Sequence, residues 1–438
     1  MPSMNQPALP ATIRPHSRLW PVAAVFLLFL QLVWPSRTWI ILLIIFGGSW
    51  SFSYWWARSL AHGLHLEREM RYGWAQVGDR LEQRFSLTNK NWAPALWLEV
   101  DDHSDLPEVL SSRVTAIGGN DSSQWKIAGT CNRRGLYTIG PTNLRSGDPL
   151  GFFSVETHIS DSTVLLVLPP VLPLPAIEVA AGGRAGESRR ARRSALETTV
   201  SVDTVREYIP GDALRSIHWP TSARRDSLYV RQFEHTPSSD WWIFLDMDKR
   251  VQTGEGSDST VEHGVILAAS LADKGLRQGH AVGLVTCGKE LAWITPQHQS
   301  GQLMDILRTL AVVTSGETCL ADLLSRANQS LRHGASLILI TPDVTGEWLA
   351  PLLRSASNQI ASTVFLFDPV SFGGSGNPNQ ADALLNQYSI AHTIVRRELL
   401  NRPEARPGMQ GQWEWRTVGP GRAVPVRQPK DSNWRQLG

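Results

Sequence analysis

The sequence predicts a multi-domain chain: an N-terminal transmembrane helical hairpin, a small antiparallel β-sandwich-like domain and a C-terminal α/β domain. Three observations lead to this fold class. Two uncharged apolar segments lie within residues 19–56, and short runs of alternating apolar and polar residues follow them. Apolar strand-like runs then alternate with helical segments. These patterns are typical of spanning helices, half-buried strands and a covered parallel sheet, in that order.

Composition limits the classes of function. The 438 residues are enough for two or three domains with their own cores. The 42 Lys and Arg residues nearly balance the 40 Asp and Glu residues, which gives a net charge of +2. This balance argues against a dedicated nucleic-acid binder, because such proteins carry a basic excess. Cys131, Cys287 and Cys319 form no CxxC pair or metal quartet and fit a reducing compartment.

The two apolar segments, residues 19–34 and 38–56, are separated by Pro35, Ser36 and Arg37. A spanning helix needs about 20 mainly apolar residues, so the first segment is marginal and the second is long enough. Tryptophans near the segment ends are typical of interfacial aromatic belts: Trp20, Trp34, Trp39, Trp55 and Trp56. We therefore predict two transmembrane helices over residues 19–57, after a cytoplasmic tail of residues 1–18. A secretory signal peptide and a core hairpin of a soluble domain are the alternatives.

Arginine placement predicts the orientation of this hairpin. Only Arg37 lies between the two segments, whereas Arg14, Arg18, Arg58, Arg68 and Arg71 flank them. The positive-inside rule then places both termini in the cytoplasm. We expect a two-span protein of the inner (cytoplasmic) membrane whose soluble domains face the cytoplasm.

The next region, residues 64–175, has the pattern of an antiparallel β domain. Residues 80–87 and 96–100 alternate apolar and polar side chains, and turn residues recur every few positions. This predicts a sandwich-like arrangement of short strands. Residues 176–200 form a predicted linker, in which the stretch 182–193 is rich in Arg and Gly. It is either a solvated connection or an electrostatic contact with acidic lipid headgroups or nucleic acid.

Residues 241–396 alternate between the two patterns of an α/β domain. Strands are predicted at residues 241–246, 281–286, 337–341, 363–367 and 391–395. Helices are predicted at residues 261–277, 301–312, 320–332, 348–357 and 381–388. Such a sheet is mostly parallel and covered on both faces, and its ligands bind at the carboxyl ends of the strands. Residues 397–438 are rich in Arg, Pro and Gly and poor in aliphatic residues, which predicts a disordered tail.

Residues 201–240 interleave charged and aromatic side chains more densely than any other segment. The residues of interest are Arg206, Tyr208, Gly211, Asp212, Arg215, His218, Trp219, Ser222, Arg224 and Glu234. Ordering long charged side chains costs rotamer entropy, so we expect compensating ion pairs. The segment is a polar clamp between domains, a docking surface anchored by Arg and Trp, or a catalytic cluster with His218 as acid or base.

The pattern R-x-Y-x-x-G-D-x-x-R-x-I-x-W-x-x-S-A-R, from Arg206 to Arg224, resembles the bacterial family called domain of unknown function 58. Two elements within residues 133–153, RRG-x-Y and DP-x-G-x-F, are similar to elements that precede this pattern in the same family. The resemblance extends from the hairpin to near the end of the chain and brings no reaction with it. It implies a partner class, the MoxR-type AAA+ ATPases, and a role in chaperone-like assembly or envelope-related processes.

The α/β pattern also resembles a von Willebrand factor A domain, which is Rossmann-like. That fold often binds Mg²⁺ or Mn²⁺ through a D-x-S-x-S turn, a Thr and a later Asp. The resemblance assigns these roles to Asp246, Asp248, Thr318 and Asp343, with Arg250 at the second Ser position. Arg250 cannot be a ligand, because a guanidinium has no acceptor lone pair. The site is therefore either metal-free and held by Asp–Arg pairs, or a degenerate Mg²⁺ or Mn²⁺ site.

Two functional hypotheses follow. The first is a membrane-anchored, non-enzymatic scaffold or adaptor that works with a MoxR-type AAA+ ATPase. The alternative is a metal-dependent enzyme that uses Asp246, Asp248 and Asp343, although no nucleophile or acid–base pair is evident beside them. No phosphate-binding loop of the Walker type is present, so we expect no ATP hydrolysis by this chain. Nucleic-acid binding is disfavoured by the balanced charge.

Overall fold

The computed structural model describes residues 11–17, 19–70, 73–107, 112–174, 177–180, 202–207, 219–225, 227–233, 240–299, 301–327, 331, 334–356, 360–400, 414–418, 422–427 and 435–437. The chain divides into two compact units. The first unit comprises Met1–Pro170 and Pro407–Gly438, and the second comprises Val171–Arg406. We call them the β unit and the α/β unit.

The helices of the described chain are α1 (Leu19–Val33), α2 (Arg37–Gly63), α3 (Trp219–Arg225), α4 (Thr260–Arg277), α5 (Gln302–Val312), α6 (Leu320–Ala327), α7 (Leu349–Ala356), α8 (Pro378–Gln387) and α9 (Arg397–Leu400). The strands of the β unit before the α/β unit are β1 (Thr12–Pro15), β2 (Leu64–Met70), β3 (Trp74–Gln76), β4 (Arg80–Asn89), β5 (Ala95–Asp102), β6 (Arg113–Ile117), β7 (Asp121–Thr130), β8 (Gly135–Ile139), β9 (Thr142–Gly147), β10 (Phe153–Ile159) and β11 (Thr163–Leu168). The remaining strands are β12 (Val202–Glu207), β13 (Tyr229–Phe233), β14 (Trp241–Leu245), β15 (Val282–Cys287), β16 (Leu291–Gln297), β17 (Ser336–Thr341), β18 (Ala361–Phe367), β19 (Ala391–Val395), β20 (Glu414–Val418), β21 (Arg422–Arg427) and β22 (Arg435–Leu437).

The two apolar segments near the start of the chain form helices α1 and α2. The hydroxyl of Ser36 caps α2 by accepting a hydrogen bond from the Thr38 backbone N–H at 3.3 Å. The helices contact each other, and the rings of Trp20 and Phe46 lie 5.5 Å apart. Among the described helices, α2 is long and apolar enough to cross a membrane, whereas α1 is an apolar helix below that length.

The second half of α2 belongs to the core of the β unit. Ser53, Ala57, Leu60 and Gly63 are buried at a spacing of three or four residues, which is one face of a helix. Ala57 and Leu60 pack in a core cluster with residues of the β sheets. The sequence predicted that this helix ends at residue 57. It continues to Gly63 because these positions find packing partners, and β2 begins at the next residue.

Besides the two-stranded sheet of β20 and β21, the described part of the β unit holds three sheets. Their strand orders are β1-β10-β9-β5-β6, β22-β2-β4-β7 and β3-β11-β8. All pairings are antiparallel except that of β3 with β11. One core holds Phe85 and Trp125 from the four-stranded sheet together with Val100, Leu144 and Val155 from the five-stranded sheet. Two sheets therefore share one apolar core, as the alternating sequence pattern predicted.

Strand β4 displays this alternation. Every second residue from Leu81 to Asn89 is buried, and the intervening side chains are half-buried. The strand lies between β2 and β7 in its sheet, so both of its backbone edges are paired. A central strand with one buried face gives a period-2 pattern, which explains why the sequence reveals it.

The described parts of residues 397–438, for which the sequence predicts a disordered tail, contain short elements of secondary structure. Helix α9 and strands β20, β21 and β22 lie there, and β20 pairs with β21. Strand β22 pairs with β2 through Arg68↔Leu437, Glu69↔Gln436 and Met70↔Arg435. Strand β22 can pair in this way despite its composition, because an open sheet edge is paired by backbone hydrogen bonds, which place little demand on side chains. Disorder of the tail stays a prediction.

The predicted linker begins inside the α/β unit. Lys274 donates a hydrogen bond from Nζ to the Ile177 carbonyl at 2.6 Å. The Ala180 N–H donates to Thr363 Oγ1 at 2.9 Å, and Ser336 Oγ donates to the Ala180 carbonyl at 2.8 Å. Residues 177–180 are thus held against the α/β unit rather than free of it. The basic stretch at 182–193 lies outside the described residues.

The α/β unit contains a six-stranded mixed sheet in the order β16-β15-β14-β17-β18-β19. Five strands are parallel, and β16 runs antiparallel to β15 at one edge. The five parallel strands follow the predicted positions within one or two residues. Strand β16 was not predicted, because its residues are exposed or half-buried and include Pro296, unlike the buried apolar runs of its neighbours.

Helices cover both faces of this sheet. Trp242 and Phe244 of β14 pack in a cluster with residues of α6, α7 and α8. The alternate residues Ile243 and Leu245 are also buried, and α4 lies on their side. Gly264 of α4 lets the helix approach, since a Cβ there would lie 3.0 Å from Leu245 Cδ1. The prediction of a sheet covered on both faces is confirmed.

A buried ion pair ties the two larger sheets of the β unit together. The guanidinium of Arg68, on β2, donates to the carboxylate of Asp102 at the end of β5 and, at 3.0 Å, to Thr142 Oγ1. The Arg68 and Asp102 side chains are only 9% and 0% exposed. The pair Arg84–Glu69, on the same sheet as Arg68, is 30% exposed on both sides at 3.7 Å.

We predict that Arg68→Ala lowers the free energy of unfolding by about 3–5 kcal/mol, because it leaves the buried Asp102 carboxylate without its counter-charge. Arg84→Ala is the matched control and should cost less than about 1 kcal/mol, since its pair is partly solvated. Denaturant unfolding of the full chain in detergent measures both. Equal losses in the two variants would show that the buried pair does not hold the sheets together.

Candidate functional site

The candidate site lies where two central strands of the α/β sheet end. Asp246 follows β14, and Asp343 comes two residues after the end of β17. These strands are neighbours, and the chain turns from β14 towards β15 on one side and from β17 towards β18 on the other. This is the topological switch point, where open α/β sheets bind their ligands. The structure therefore brings the predicted acidic residues to one edge of the sheet.

Asp246 is buried and accepts two hydrogen bonds. One carboxylate oxygen accepts a hydrogen bond from the Thr341 hydroxyl at 2.6 Å. The other accepts one from the Asp248 backbone N–H at 3.0 Å. The Thr341 hydroxyl also accepts a hydrogen bond from the Asp343 backbone N–H at 2.9 Å. Thr341 thus links the two strand ends, and we call Asp246, Thr341 and Asp343 the strand-end triad.

Burial is the main cause that raises the pKa of Asp246 to about 6, and the negative charges of Asp343 and Asp248 contribute in the same direction. The hydrogen bonds from Thr341 and from the Asp248 backbone act in the opposite direction, because they stabilise the carboxylate. Removal from water is the larger effect. At neutral pH the site therefore holds an ionised carboxylate at a cost in stability.

Asp343 has a structural role in the same edge. Its carboxylate accepts a hydrogen bond from the Thr345 backbone N–H at 2.8 Å, and its backbone carbonyl accepts one from the Trp348 indole at 3.0 Å. Trp348 is almost fully buried in the core next to α7. These bonds fix the turn that leads from β17 into α7.

Asp248 is paired with Arg250 rather than left open. The Arg250 Nε lies 3.0 Å from both carboxylate oxygens, and a terminal guanidinium nitrogen lies 2.5 Å from Oδ2. The Arg250 backbone N–H also donates to Asp248 Oδ1 at 3.0 Å. Hydrogen bonds from Arg250 lower the pKa of Asp248 and raise that of Arg250. The Asp248 side chain is 3% exposed, whereas that of Arg250 is 65% exposed.

Thr318 lies in a loop that runs beside this turn. Gly316 donates its backbone N–H to the Met247 carbonyl at 2.8 Å and accepts the Lys249 N–H at 2.9 Å. A Cβ on Gly316 would lie 1.9 Å from the Gly288 carbonyl oxygen, so only glycine fits there. The half-buried Thr318 follows two residues later. The fourth predicted residue therefore lies on the loop next to Asp248.

A divalent metal does not fit this arrangement. Asp248 has both oxygens engaged by Arg250, and Asp246 has both oxygens engaged by Thr341 and by backbone. Within the described ranges, no group of three or more His, Cys, Asp or Glu residues has an arrangement that could hold a metal ion. Mg²⁺ and Mn²⁺ require several free oxygen ligands, which this edge does not offer in its present hydrogen-bonded form.

The edge instead exposes charges of both signs. Lys249 pairs with Glu317 at 2.5 Å, and both side chains are more than half exposed. The Lys249 amine also lowers the pKa of Glu317. The exposed guanidinium of Arg250 lies on the same edge. Lys249, Arg250 and Glu317 therefore form a surface with charges of both signs above the hydrogen-bonded strand-end triad. The sequence did not point to Thr341, Lys249 or Glu317. A Thr at the last position of the apolar run 336–341 is the signal that could have identified the triad.

The segment 201–240 is described only in part. Strands β12 and β13 pair antiparallel, and Arg206 lies opposite Val230 in that register. The predicted residues Tyr208, Gly211, Asp212, Arg215, His218 and Glu234 lie outside the described residues. The clamp and catalytic interpretations of the segment therefore stay predictions.

Ser222 and Trp219 have distinct roles within helix α3. The buried Ser222 hydroxyl accepts a hydrogen bond from the Tyr229 backbone N–H at 2.9 Å, which ties α3 to β13. Trp219 is 66% exposed, and Arg224 is also exposed. Arg225 lies over the Tyr229 ring at 5.4 Å and lowers the pKa of that phenol through a hydrogen bond. A rigid helix therefore presents an exposed indole.

One segment of the chain is similar to a known protein family. Residues 204–371 match the family model described as protein of unknown function DUF58. The match starts in β12 and ends in the short 3₁₀ helix Pro369–Phe372. It therefore includes all of the segment 201–240 except its first three residues. It is narrower than the resemblance predicted from the sequence, which reached back to the hairpin.

Curated relatives are similarly uncharacterised. The uncharacterized protein YeaD of Bacillus subtilis is 28% identical over 254 residues, which are 56% of this chain and 61% of the relative. The uncharacterized protein Rv1480 of Mycobacterium tuberculosis and Mb1516 of Mycobacterium bovis are each 24% identical over 170 residues, 37% of this chain and 54% of theirs. The chain thus covers about six tenths or less of these relatives' length.

Similarity to solved structures is weak. The CARDB domain of the PF1109 protein from Pyrococcus furiosus is 12% identical, with a TM-score of 0.18, and the match covers 24% of this chain and 90% of that domain. A family 123 glycoside hydrolase from Clostridium perfringens has a TM-score of 0.16 at 10% identity, covering 73% of this chain and 66% of the hydrolase.

The buried acids Asp246 and Asp248 should give the free energy of unfolding opposite dependences on pH. Because burial raises the pKa of Asp246 from 3.8 to about 6, the folded state holds its proton more tightly, and stability falls as pH rises from 4 to 6. The expected loss is on the order of 3 kcal/mol. The Asp246→Asn variant should not show this loss of stability. Denaturant titration of the wild type and the variant at pH 4 and pH 7 measures the difference.

Asp248→Asn provides the matched comparison. Its pKa is lowered by Arg250, so its carboxylate stabilises the fold above pH 4 and loses that effect as pH falls below 4. The penalty of Asp248→Asn should therefore be greatest at neutral pH. The same pH profile in both variants would contradict the two different environments described for these acids.

Proposed function

We propose that the chain is a membrane-anchored adaptor that binds a protein partner at the carboxyl edge of its α/β sheet. The observation that carries the proposal is the position of Arg250. Its guanidinium engages both oxygens of the buried Asp248 and is nevertheless 65% exposed. An arginine held by one carboxylate loses little entropy when it binds a second one from a partner, and arginine is a favoured interface anchor.

We also propose that the α/β unit has a von Willebrand factor A-like fold, in which such an edge serves as the binding face. Support comes from the strand order, with its single antiparallel strand β16 at one edge, and from helices on both faces of the sheet. Further support is that Asp246 and Asp248 directly follow the central strand β14. The edge departs from that fold's metal site at Arg250, so we propose that partner binding here does not require a metal.

The partner class implied by the family resemblance is a MoxR-type AAA+ ATPase. The mixed charges of Lys249, Arg250 and Glu317 favour a polar protein surface over an apolar ligand. Trp219 on α3 offers an apolar anchor elsewhere in the region matched by the family model. An adaptor needs no nucleophile or acid–base pair, and the hydrogen-bonded triad supplies neither.

The metal-dependent enzyme is the weaker candidate. One observation favours this candidate. The negative charges of Asp248 and Asp343 lie close enough to Asp246 to raise its pKa. A cation would relieve that repulsion. Binding one would require the Arg250 guanidinium to leave Asp248, which would break three side-chain hydrogen bonds to that carboxylate.

The anchor is helix α2 with α1 beside it. More than half of the exposed large hydrophobic side chains of the described chain lie between Trp20 and Trp55, and a soluble protein rarely exposes such a contiguous apolar surface. We propose that both helices span the bilayer and that the flanking arginines hold both units in the cytoplasm.

Protease digestion of membrane vesicles tests this orientation. In inverted vesicles the β unit and the α/β unit should both be cleaved, because the cytoplasmic face points outward. In right-side-out vesicles both should be protected until detergent is added. Protection in inverted vesicles would contradict the proposed orientation.

Arg250→Ala should reduce recovery of the ATPase with tagged full-length protein by about tenfold or more, the size expected for loss of a central arginine anchor. Arg277→Ala is the matched control, since Arg277 is exposed and also pairs with a nearby aspartate, Asp273, but lies at the end of α4. Recovery is measured from solubilised membranes by quantitative mass spectrometry.

Each purification is repeated with a chelator to separate the two candidate functions. Recovery that is unchanged by chelation and lost in Arg250→Ala supports the adaptor. Recovery that is lost on chelation and unaffected by Arg250→Ala would favour a metal-dependent edge. Failure to recover any ATPase with wild-type protein would count against the partner class.

A further inference from the structure

A recess on the β unit lies beside the second half of α2. Its walls are Trp55, Arg58, Ser59, His62, Asn91 and Trp92, and its volume is about 340 Å³. The four residues from α2 are spaced by three, four and seven positions from Trp55, so they share one face of the helix. The other two come from the turn between β4 and β5. We call this the α2 recess.

The frame of the α2 recess is rigid. The Asn91 side chain donates a hydrogen bond to the Ser59 carbonyl at 2.7 Å, which fixes the β4–β5 turn to the helix. Gly63 allows this close approach, because a Cβ there would lie 2.8 Å from the Asn91 Cβ. The Trp92 ring lies 4.5 Å from that of Trp55. The recess is therefore built from fixed parts and does not depend on a mobile loop.

The polar groups of the recess are suited to an anion. None of its six residues is acidic, and no carboxylate of a described residue lies within ion-pair distance of Arg58. His62 uses Nδ1 to bond the Arg58 carbonyl at 2.8 Å, which leaves Nε2 for another partner. The Ser59 hydroxyl is buried and, among the described residues, has no hydrogen-bond partner. A phosphate oxygen would accept hydrogen bonds from the Arg58 guanidinium, and from His62 Nε2 when the imidazole carries both protons.

The position of the recess along α2 matches the level of lipid headgroups. Arg58 follows Arg37, at the start of the helix, by 21 residues, which is about 32 Å at the helical rise. The hydrocarbon core of a bilayer is about 30 Å thick. With Arg37 at one surface, Arg58 and the two indoles of Trp55 and Trp92 would lie at the other. Tryptophan is enriched at that depth because one side of the ring is apolar and the N–H is polar.

We propose that the α2 recess binds the phosphate headgroup of one anionic phospholipid, with Arg58 as the main contact and the imidazolium form of His62 as a further donor. The two indoles would contact the glycerol and upper acyl region. This proposal rests on the membrane anchoring proposed above. It adds a specific lipid site on the cytoplasmic side of the anchor, which would fix the height of the β unit on the bilayer.

Native mass spectrometry of the full chain in neutral detergent tests the site. With added phosphatidylglycerol the wild type should retain one lipid, and with phosphatidylcholine at the same concentration it should retain about tenfold less. Arg58→Gln should abolish the preference. Arg80→Gln, an exposed arginine on β4 outside the recess, is the control and should keep it. Trp92→Leu should also weaken retention, independently of charge.

Two further measurements separate the possible failures. Flotation with phosphatidylcholine vesicles should be the same for wild type and Arg58→Gln, because the hairpin alone anchors the chain. If neither protein floats, the anchoring proposal fails; if both float and both show no preference for phosphatidylglycerol, the recess proposal fails alone. Inorganic phosphate that displaces the retained lipid at micromolar concentration would show a site for free phosphate and would also overturn the proposal.

Discussion

Helix α2 constrains the rest of the β unit, because one unbroken helix has two different environments. Its first half exposes Ile41, Ile44 and Ile45, while its second half buries Ala57 and Leu60 among the β sheets. Since no loop separates the halves, the helix cannot move in a bilayer without the β unit. The proposed membrane anchor and the β unit would therefore move together, and the ring contact of Trp50 with Phe153 lies where the two halves of α2 meet.

The α/β unit depends on a different constraint, the satisfaction of buried acids by hydrogen bonds and by an arginine. Thr341 joins the ends of the two central strands, and Arg250 neutralises Asp248. These bonds keep the switch-point edge in one shape while the guanidinium stays exposed. A rigid charged edge is suited to recognising a protein surface, whereas catalysis would need a free nucleophile or a poised acid–base pair. This is why the adaptor is the stronger of the two proposals.

Local patterns revealed the elements whose faces are buried. The period-2 pattern of β4 and the apolar run of β17 were predictable because their neighbours demand those side chains. Strand β16 and the pairing of β22 were not, because edge strands are held by backbone hydrogen bonds. At the site, Asp246, Asp248 and Asp343 were identified from a motif. Thr341 was missed, since its role depends on two strands lying side by side, which the sequence does not show.

A depth profile of α2 in proteoliposomes tests the central claim most directly. Single cysteines would replace residues 38–58 in a chain whose native cysteines are serine, and each would carry a nitroxide. Oxygen access should peak near Ile45 and fall towards Arg37 and Arg58, and the label at Ala57 should be immobile against the β unit. Water-like access of a nickel probe at Ile41, Ile44 and Ile45 would contradict a helix that runs from the bilayer into the β core.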